Sequence, residues 1–329
     1  MKPREVVTRA IEFRQPPRMP ASGFEDDSDV VLVEYDFLRP PQAGDDESLD
    51  QWLCRWDHTD EDNIGQIKGH PLADLAAMKD FPWPDGADPR RFANVPARLD
   101  EIAADPLRRD KYVAFGLYFL LWERMHSLRG FAECMMDLMD DSPQIHEIAD
   151  RILEYDIAVV RGMHAVAGDR IQGVVSTDDW GTQLDLHISP ELWQRFFQPR
   201  YKKLFDVVHE CGYHMWMHSC GKINKIIPGL IEAGLDVINM QQPLTNGIDE
   251  IGRDFAGKIC FETLCDIQKT LPGGDRNEIE VQAAQLLGSW GTPEGGFVLG
   301  DYGHEAAIGT EAGTREFMLE TFRRLDPWK

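Results

Sequence analysis

The sequence predicts an α/β protein folded as one (β/α)8 TIM-type barrel, with an extended loop region near its N-terminus. From about residue 112 to the end, short apolar runs alternate with helix-length segments, and crossovers of that length join parallel strands. No composition break or flexible linker divides residues 1–329, which indicates a single domain. Roughly eight strand candidates suit a closed barrel. An open doubly wound sheet is the alternative, but no Gly-rich dinucleotide-binding fingerprint follows the first strand.

The predicted strands are short and rich in apolar or β-branched residues. They span residues 30–35, 112–119, 173–177, 212–220, 237–240, 259–263 and 297–299. The predicted helices carry apolar residues at helical spacing. They span residues 3–13, 72–79, 95–104, 132–139, 145–167, 190–211, 222–233, 248–255, 278–290 and 313–324. The irregular stretch from 39 to 69 forms the loop region, where Trp52, Trp56 and His58 either line a ligand or anchor the loop.

The composition excludes several classes of partner. The net charge is −23, whereas nucleic acid and anionic membranes both require a basic face. The same charge disfavours a substrate with many carboxylates. Six scattered cysteines without a pairing pattern are typical of reduced thiols in the cytoplasm. No apolar run approaches the ~18 residues of a membrane span, so we expect a cytoplasmic protein.

The stretch from 212 to 221 carries the strongest chemical signal. A short apolar strand ends in His218 and Cys220, and Gly221 then turns the chain towards a helix. Residues two apart in a strand point the same way, so the imidazole and the thiol leave the strand on one side. These are the ligand types that zinc selects. The alternative is a structural histidine hydrogen-bonded beside a buried thiol.

Polar residues also follow most of the other predicted strands, and a (β/α)8 barrel places its chemistry at these carboxyl ends. The candidates are Asp178, Asp179, His218, Cys220, Gln241, Gln242, Cys260, Glu262, Cys265, Asp301, Tyr302 and His304. The sequence therefore predicts one site that collects side chains from five strands.

The predicted zinc ligands are His218, Cys220 and a further cysteine. Cys260 lies on the same side of its strand as Glu262 and is the first choice, with Cys265 as the fallback and His304 after it. Two thiolates and one imidazole fill three positions of tetrahedral zinc and leave the fourth open, which is the catalytic pattern. The alternative for Cys260 is a small core residue.

Asp178 and Asp179 are the predicted acid–base residues beside His218. Adjacent carboxylates can hold a proton at a raised pKa or grip a polar substrate; equally, one can cap a helix or pair with an arginine. Trp180 and Tyr302 are predicted as aromatic walls, with plain packing as the alternative. The predicted substrate-binding residues are Trp180, Gln183, Gln241, Tyr302 and His304.

Several motifs together resemble the uroporphyrinogen decarboxylase superfamily, in particular its corrinoid-linked methyltransferase branch. They are the N-terminal residues 3–20, Asp178-Asp-Trp-Gly-Thr-Gln183, Ile188-Ser-Pro-Glu191, His218-Ser-Cys-Gly221, Gly234-Leu-Asp236, residues 266–272 and residues 295–299. The resemblance implies a (β/α)8 barrel that often dimerises, with zinc held by H-x-C and another cysteine. Thiol-methylating members carry that cysteine near the last strand, where this chain has Asp301-Tyr-Gly-His304.

The function implied is methyl transfer from a methoxylated or methylated small molecule to a corrinoid protein, as in O-demethylation. Zinc would polarise the donor, and Asp178 or Asp179 would orient it or supply a proton. No D-x-H-x-x-G corrinoid signature occurs in the chain, so we expect the corrinoid on a separate partner protein. The alternatives are a uroporphyrinogen decarboxylase, which the acidic composition disfavours, and a non-catalytic barrel that binds a small ligand.

Overall fold

A curled sheet of seven parallel strands forms the centre of the protein. The computed structural model describes residues 1–57, 65–303 and 305–329. Of Glu25, within the first range, it describes only the backbone. The strands are β1 (Val30–Leu32), β2 (Arg55–Asp57), β3 (Gln66–Gly69), β4 (Tyr112–Leu117), β5 (Gly173–Thr177), β6 (His214–His218), β7 (Val237–Met240), β8 (Cys260–Thr263) and β9 (Phe297–Leu299). The sheet order is β1-β4-β5-β6-β7-β8-β9, while β2 and β3 form a separate antiparallel pair. The parallel α/β architecture predicted from the sequence is confirmed.

Helices follow most strands of the sheet. They are α1 (Pro3–Ile11), α2 (Val95–Ala104), α3 (Leu121–Arg129), α4 (Phe131–Met139), α5 (Pro143–Ala167), α6 (Pro190–Phe196), α7 (Gln198–Glu210), α8 (Ile227–Ala233), α9 (Pro243–Asn246), α10 (Ile248–Phe255), α11 (Thr270–Gly273), α12 (Arg276–Trp290) and α13 (Thr314–Leu325). The helical structure predicted over 190–211 is confirmed, but it is divided between two helices, α6 and α7. Pro199 has no N–H to donate to the carbonyl of Arg195, so the helix restarts there.

An irregular segment, residues 20–22, connects the two edges of the sheet. Ala21 forms a parallel bridge with Leu299 at the end of β9, and its carbonyl accepts a hydrogen bond of 2.7 Å from the amide of Asp29, just before β1. The eighth strand expected for a closed barrel is not found in the described residues. Closure by eight strands therefore stays a prediction.

The inner face of the curled sheet holds an apolar cluster. Its buried members are Val7, Ile11, Tyr112, Ala114, Trp216, Val237, Cys260 and Val298. Val7 and Ile11 belong to α1, which packs under the amino ends of the strands. Since side chains alternate along a strand, the next inward-facing positions towards the carboxyl ends form what we call the upper ring. Its members are Leu32, Gly116, Thr177, His218, Asn239, Glu262 and Gly300.

Two expectations from the composition concern the whole chain. All six cysteines are free thiols. Within residues 1–57, 65–303 and 305–329, no helix combines the length and the apolar character needed to cross a bilayer. The cytoplasmic location stays a prediction.

Candidate metal centre at the strand ends

His218 is the last residue of β6 and belongs to the upper ring. Its Nδ1 lies 2.6 Å from Oδ1 of Asn239, the neighbouring inward residue on β7. An amide oxygen only accepts hydrogen bonds, so in a neutral His218 the proton lies on Nδ1 and the lone pair on Nε2. The Nε2 atom lies 3.2 Å from Sγ of Cys220. The two residues therefore meet on one side of the strand end, as the sequence predicts.

A close contact between two glycines holds the loop that carries Cys220. Gly221 has a φ of +77°, and a Cβ at this position would collide with the carbonyl of Gly181. The amide of Gly181 donates to the carbonyl of Cys220 at 3.1 Å, and Gln242 Oε1 accepts from the amide of Gly221 at 3.1 Å. The glycines of the two sequence motifs thus let the loops after β5 and β6 lie backbone against backbone.

Asp179 completes a group of three potential metal ligands with His218 and Cys220, which we call the metal group. Its Oδ1 accepts a hydrogen bond of 2.8 Å from the amide of Cys220 and lies 3.5 Å from Nε2 of His218. The ligand atoms of Asp179, His218 and Cys220 all lie within 4.8 Å of one another. Ligands of a tetrahedral zinc with ordinary bond lengths are separated by roughly 3.3–3.6 Å. These three residues therefore fit zinc with little movement.

The electrostatic surroundings of this group also suit a cation. Burial raises the pKa of the Cys220 thiol, and the negative charges of Asp179 and Glu123 raise it further. Glu123, in the first turn of α3, has its own pKa raised well above the usual range by burial and by Asp179 and Asp178. Its Oε2 atom is buried and has no hydrogen-bond partner among the described residues. A divalent cation would offset this concentration of acidic groups and favour the thiolate.

Asp178 points away from the metal group and anchors α3. Its carboxylate accepts hydrogen bonds from the amides of Trp122 at 3.1 Å and Glu123 at 2.7 Å, and from the hydroxyl of Tyr201. Burial raises the pKa of Asp178 to about 7. These contacts are typical of a carboxylate that caps the N-terminus of a helix. Helix capping is one of the roles that the sequence left open for Asp178.

The predicted substrate-binding residues differ in how deeply they are buried. Trp180 is fully buried, and its indole N–H donates to the hydroxyl of Tyr201 at 2.9 Å, so its contacts are those of a packing residue. Gln183 is exposed and donates to Gln242 Oε1 at 3.2 Å. Gln241 is half-buried, and its backbone carbonyl accepts from the amide of Ile267.

Tyr302 and His304 follow β9. Burial raises the pKa of Tyr302, as does the negative charge of Cys220. His304 lies outside the described residues, as does His58.

The structure does not bring Cys260 or Cys265 into the metal group. Cys260 is in register with Val237 and belongs to the inner apolar cluster. It precedes Glu262 by two residues, or about 6.6 Å along the strand. Cys265 lies in the core outside the sheet, with Sγ 3.7 Å from the carbonyl of Ile279. A cysteine as the third ligand therefore stays a prediction, whereas Asp179 already stands in that place.

One wall of the barrel mouth, near the carboxyl ends of β1 and β4, was not predicted from the sequence. Leu32 and Tyr118 are each 46% exposed, and Leu32 is a member of the upper ring. The ring of Tyr118 lies where a side chain of Gly116 would project, 2.5 Å from the place that a Cβ would take. Gly116 has no side chain, and the aromatic residue Tyr118 follows two positions later. This pair in the sequence is the signal that could have indicated the wall.

The fold and the site define an α/β protein that gathers histidine, cysteine and aspartate at the carboxyl ends of parallel strands. Residues 119–325, more than half of the chain, match the uroporphyrinogen decarboxylase (URO-D) family. The chain therefore belongs to the uroporphyrinogen decarboxylase family, which confirms the resemblance found in the sequence.

One solved structure supports the same fold. A methyltransferase from Methanosarcina mazei superposes with a TM-score of 0.72 at 13% identity, over 98% of this chain and 99% of that one. At this identity the likeness concerns the fold alone. A 3-keto-D-glucoside 4-epimerase from E. coli overlaps less closely, with a TM-score of 0.41 at 11% identity over 79% of this chain and 95% of that one. No curated protein matches the chain in sequence.

Proposed function

We propose that the protein is a methyltransferase that passes a methyl group from a methoxylated or methylated small molecule to a corrinoid on a separate protein. The observation that carries the proposal is the meeting of Asp179, His218 and Cys220 at the ends of β5 and β6. Zinc held there would supply a Lewis-acidic position to the donor, and the corrinoid would supply the nucleophile. The family match and the likeness to a methyltransferase fold support this choice.

The protein's own residues divide the remaining tasks. Asp178 holds α3, because its oxygens are occupied by backbone and tyrosine donors. Glu123 has a buried carboxyl oxygen without a partner among the described residues and a raised pKa. It therefore supplies the proton to the oxygen from which the methyl group departs. Leu32 and Tyr118 form the apolar wall that receives the body of the donor, and Tyr302 serves as a further aromatic wall.

The assembly around this site completes the proposal. Residues 20–22 act as the eighth element that closes the barrel, as their contacts with β9 suggest. The corrinoid protein would dock over the carboxyl ends of the strands, because the proposed donor site opens there. A homodimer, expected from the family resemblance, stays a prediction.

Metal analysis tests the proposal. Protein purified without chelator should contain about one equivalent of zinc, and less than about a tenth of an equivalent would discard the metal site. Cys220→Ser and Asp179→Asn should both lose zinc. Cys260→Ser is the matched control, since it removes a buried thiol outside the group and should retain the metal. Loss of zinc from Cys260→Ser alone would return the third ligand to that cysteine.

Uroporphyrinogen decarboxylation is a second candidate, because the family match bears that description. Incubation of pure, metal-free protein with uroporphyrinogen decides between the two activities. Decarboxylation under these conditions would replace the methyltransferase proposal. Bound zinc without either activity would favour a barrel that only binds a small ligand.

A further inference from the structure

A chain of hydrogen bonds leads from the segment that connects the sheet edges to the metal group. The hydroxyl of Ser22 donates to Oε1 of Glu262, and Nδ2 of Asn239 donates to Oε2 of the same carboxylate at 2.8 Å. Asn239 Oδ1 in turn lies 2.6 Å from Nδ1 of His218. His218, Asn239 and Glu262 are in register on β6, β7 and β8. They form one continuous arc of the upper ring.

With Glu262 ionised, the order of donors and acceptors along this arc has one consistent solution. The amide nitrogen of Asn239 only donates and its oxygen only accepts. Because the nitrogen faces the carboxylate of Glu262, the oxygen faces His218. The proton of a neutral His218 must then lie on Nδ1, and the Nε2 lone pair is directed at Cys220 and Asp179, 3.2 and 3.5 Å away.

Packing alone does not explain a carboxylate at this position. Glu262 shares the inner face of the sheet with Cys260 and Val298, which belong to the apolar cluster. The side chains of Ser22 and Asn239, which donate hydrogen bonds to its carboxylate, are both neutral. A buried carboxylate without a cationic partner costs several kcal/mol, so an apolar residue would serve the core better.

We propose that Glu262, acting through Asn239, is a positioning residue that fixes His218 in the tautomer protonated at Nδ1. His218 thereby presents Nε2 as its ligand atom to the metal. This role rests on the metal site of the proposed function, yet the tautomer is a property of the protein without metal. Ser22 extends the same arc to residues 20–22, so ordering of that segment supports the metal site.

Nitrogen-15 NMR of the metal-free protein tests the tautomer directly. The signals of His218 are identified among the ten histidines by their loss in His218→Gln. The expected spectrum has a protonated Nδ1 and an unprotonated Nε2. A protonated Nε2 in the wild-type protein would overturn the proposal, whatever the metal content.

Zinc affinity, measured by competition with a chelator, tests the consequence. Asn239→Leu should bind zinc about tenfold to a hundredfold more weakly and should lose the single tautomer. Glu262→Leu removes the acceptor that orients the Asn239 amide and should weaken zinc binding to a similar degree, whereas Glu262→Gln keeps an acceptor for Asn239 Nδ2 and should stay within roughly threefold of wild type. Unchanged affinity and tautomer in Asn239→Leu would contradict the positioning role. The Nδ1-protonated tautomer in a protein that binds no zinc would support the positioning role and reject the proposed metal function.

Discussion

Gly221→Ala is the substitution that most sharply tests how the loop of Cys220 is held. The backbone at Gly221 has a φ of +77°, which costs an L-residue about 1–2 kcal/mol. The added Cβ would also collide with backbone atoms of Gly181, and overpacking against atoms that cannot change rotamer adds about 1–3 kcal/mol. We therefore expect a loss of about 2–5 kcal/mol in the free energy of unfolding. Because the loops after β5 and β6 must separate, zinc affinity should fall as well.

Gly212→Ala is the matched control. Gly212 has nearly the same φ, +76°, but a Cβ there would have no neighbour within 4 Å. Its expected cost is about 1–2 kcal/mol from the backbone alone, with zinc affinity unchanged. Urea denaturation gives the free energies, and chelator competition gives the affinities. If the two variants had equal stability and equal zinc affinity, the contact between Gly181 and Gly221 would not be what holds the loop of Cys220.

The remaining predictions concern the barrel mouth and the support of α3. Gly116→Ala places a Cβ 2.5 Å from the ring of Tyr118 and should raise the KM for the methyl donor about tenfold; an unchanged KM would remove Tyr118 from the donor wall. Tyr201→Phe leaves the indole N–H of Trp180 and the carboxylate of Asp178 without their shared partner, so urea denaturation should show a loss of about 1–3 kcal/mol, whereas Tyr118→Phe should change stability by less than about 0.5 kcal/mol. The pKa of Asp178 is raised to about 7 by burial, from an ordinary value of 3.8. The folded state therefore binds the proton more tightly, and this contribution to stability is present below about pH 4 and is lost as the pH rises to about 7. Denaturation of metal-free protein across this range should show a shallower decline in Asp178→Asn than in wild type, and parallel curves would contradict the assignment.

The strands of the sheet were predictable because parallel strands buried on both faces are short apolar runs. The limits of β5, β7 and β9 agree with the sequence expectation. Alternation of side chains likewise placed His218 and Cys220 on one side, and Cys260 on the side of Glu262.

The position of Cys260 relative to His218 could only be known from the register between strands. Val237 pairs with Cys260, whereas Asn239, beside His218, pairs with Glu262. Cys260 therefore lies one inward position too deep, a fact that alternation within a single strand cannot reveal. Asp178 and Asp179 are adjacent in the sequence, and only the path of the chain after β5 separates the helix anchor, Asp178, from the candidate metal ligand, Asp179.

X-ray absorption spectroscopy at the zinc edge of the loaded protein is the most direct measurement of the central claim. Binding by Asp179, His218 and Cys220 predicts one sulfur neighbour at about 2.3 Å and the remaining neighbours at about 2.0–2.2 Å as nitrogen or oxygen. Two sulfur neighbours, or zinc without any sulfur, would contradict the site described for this protein.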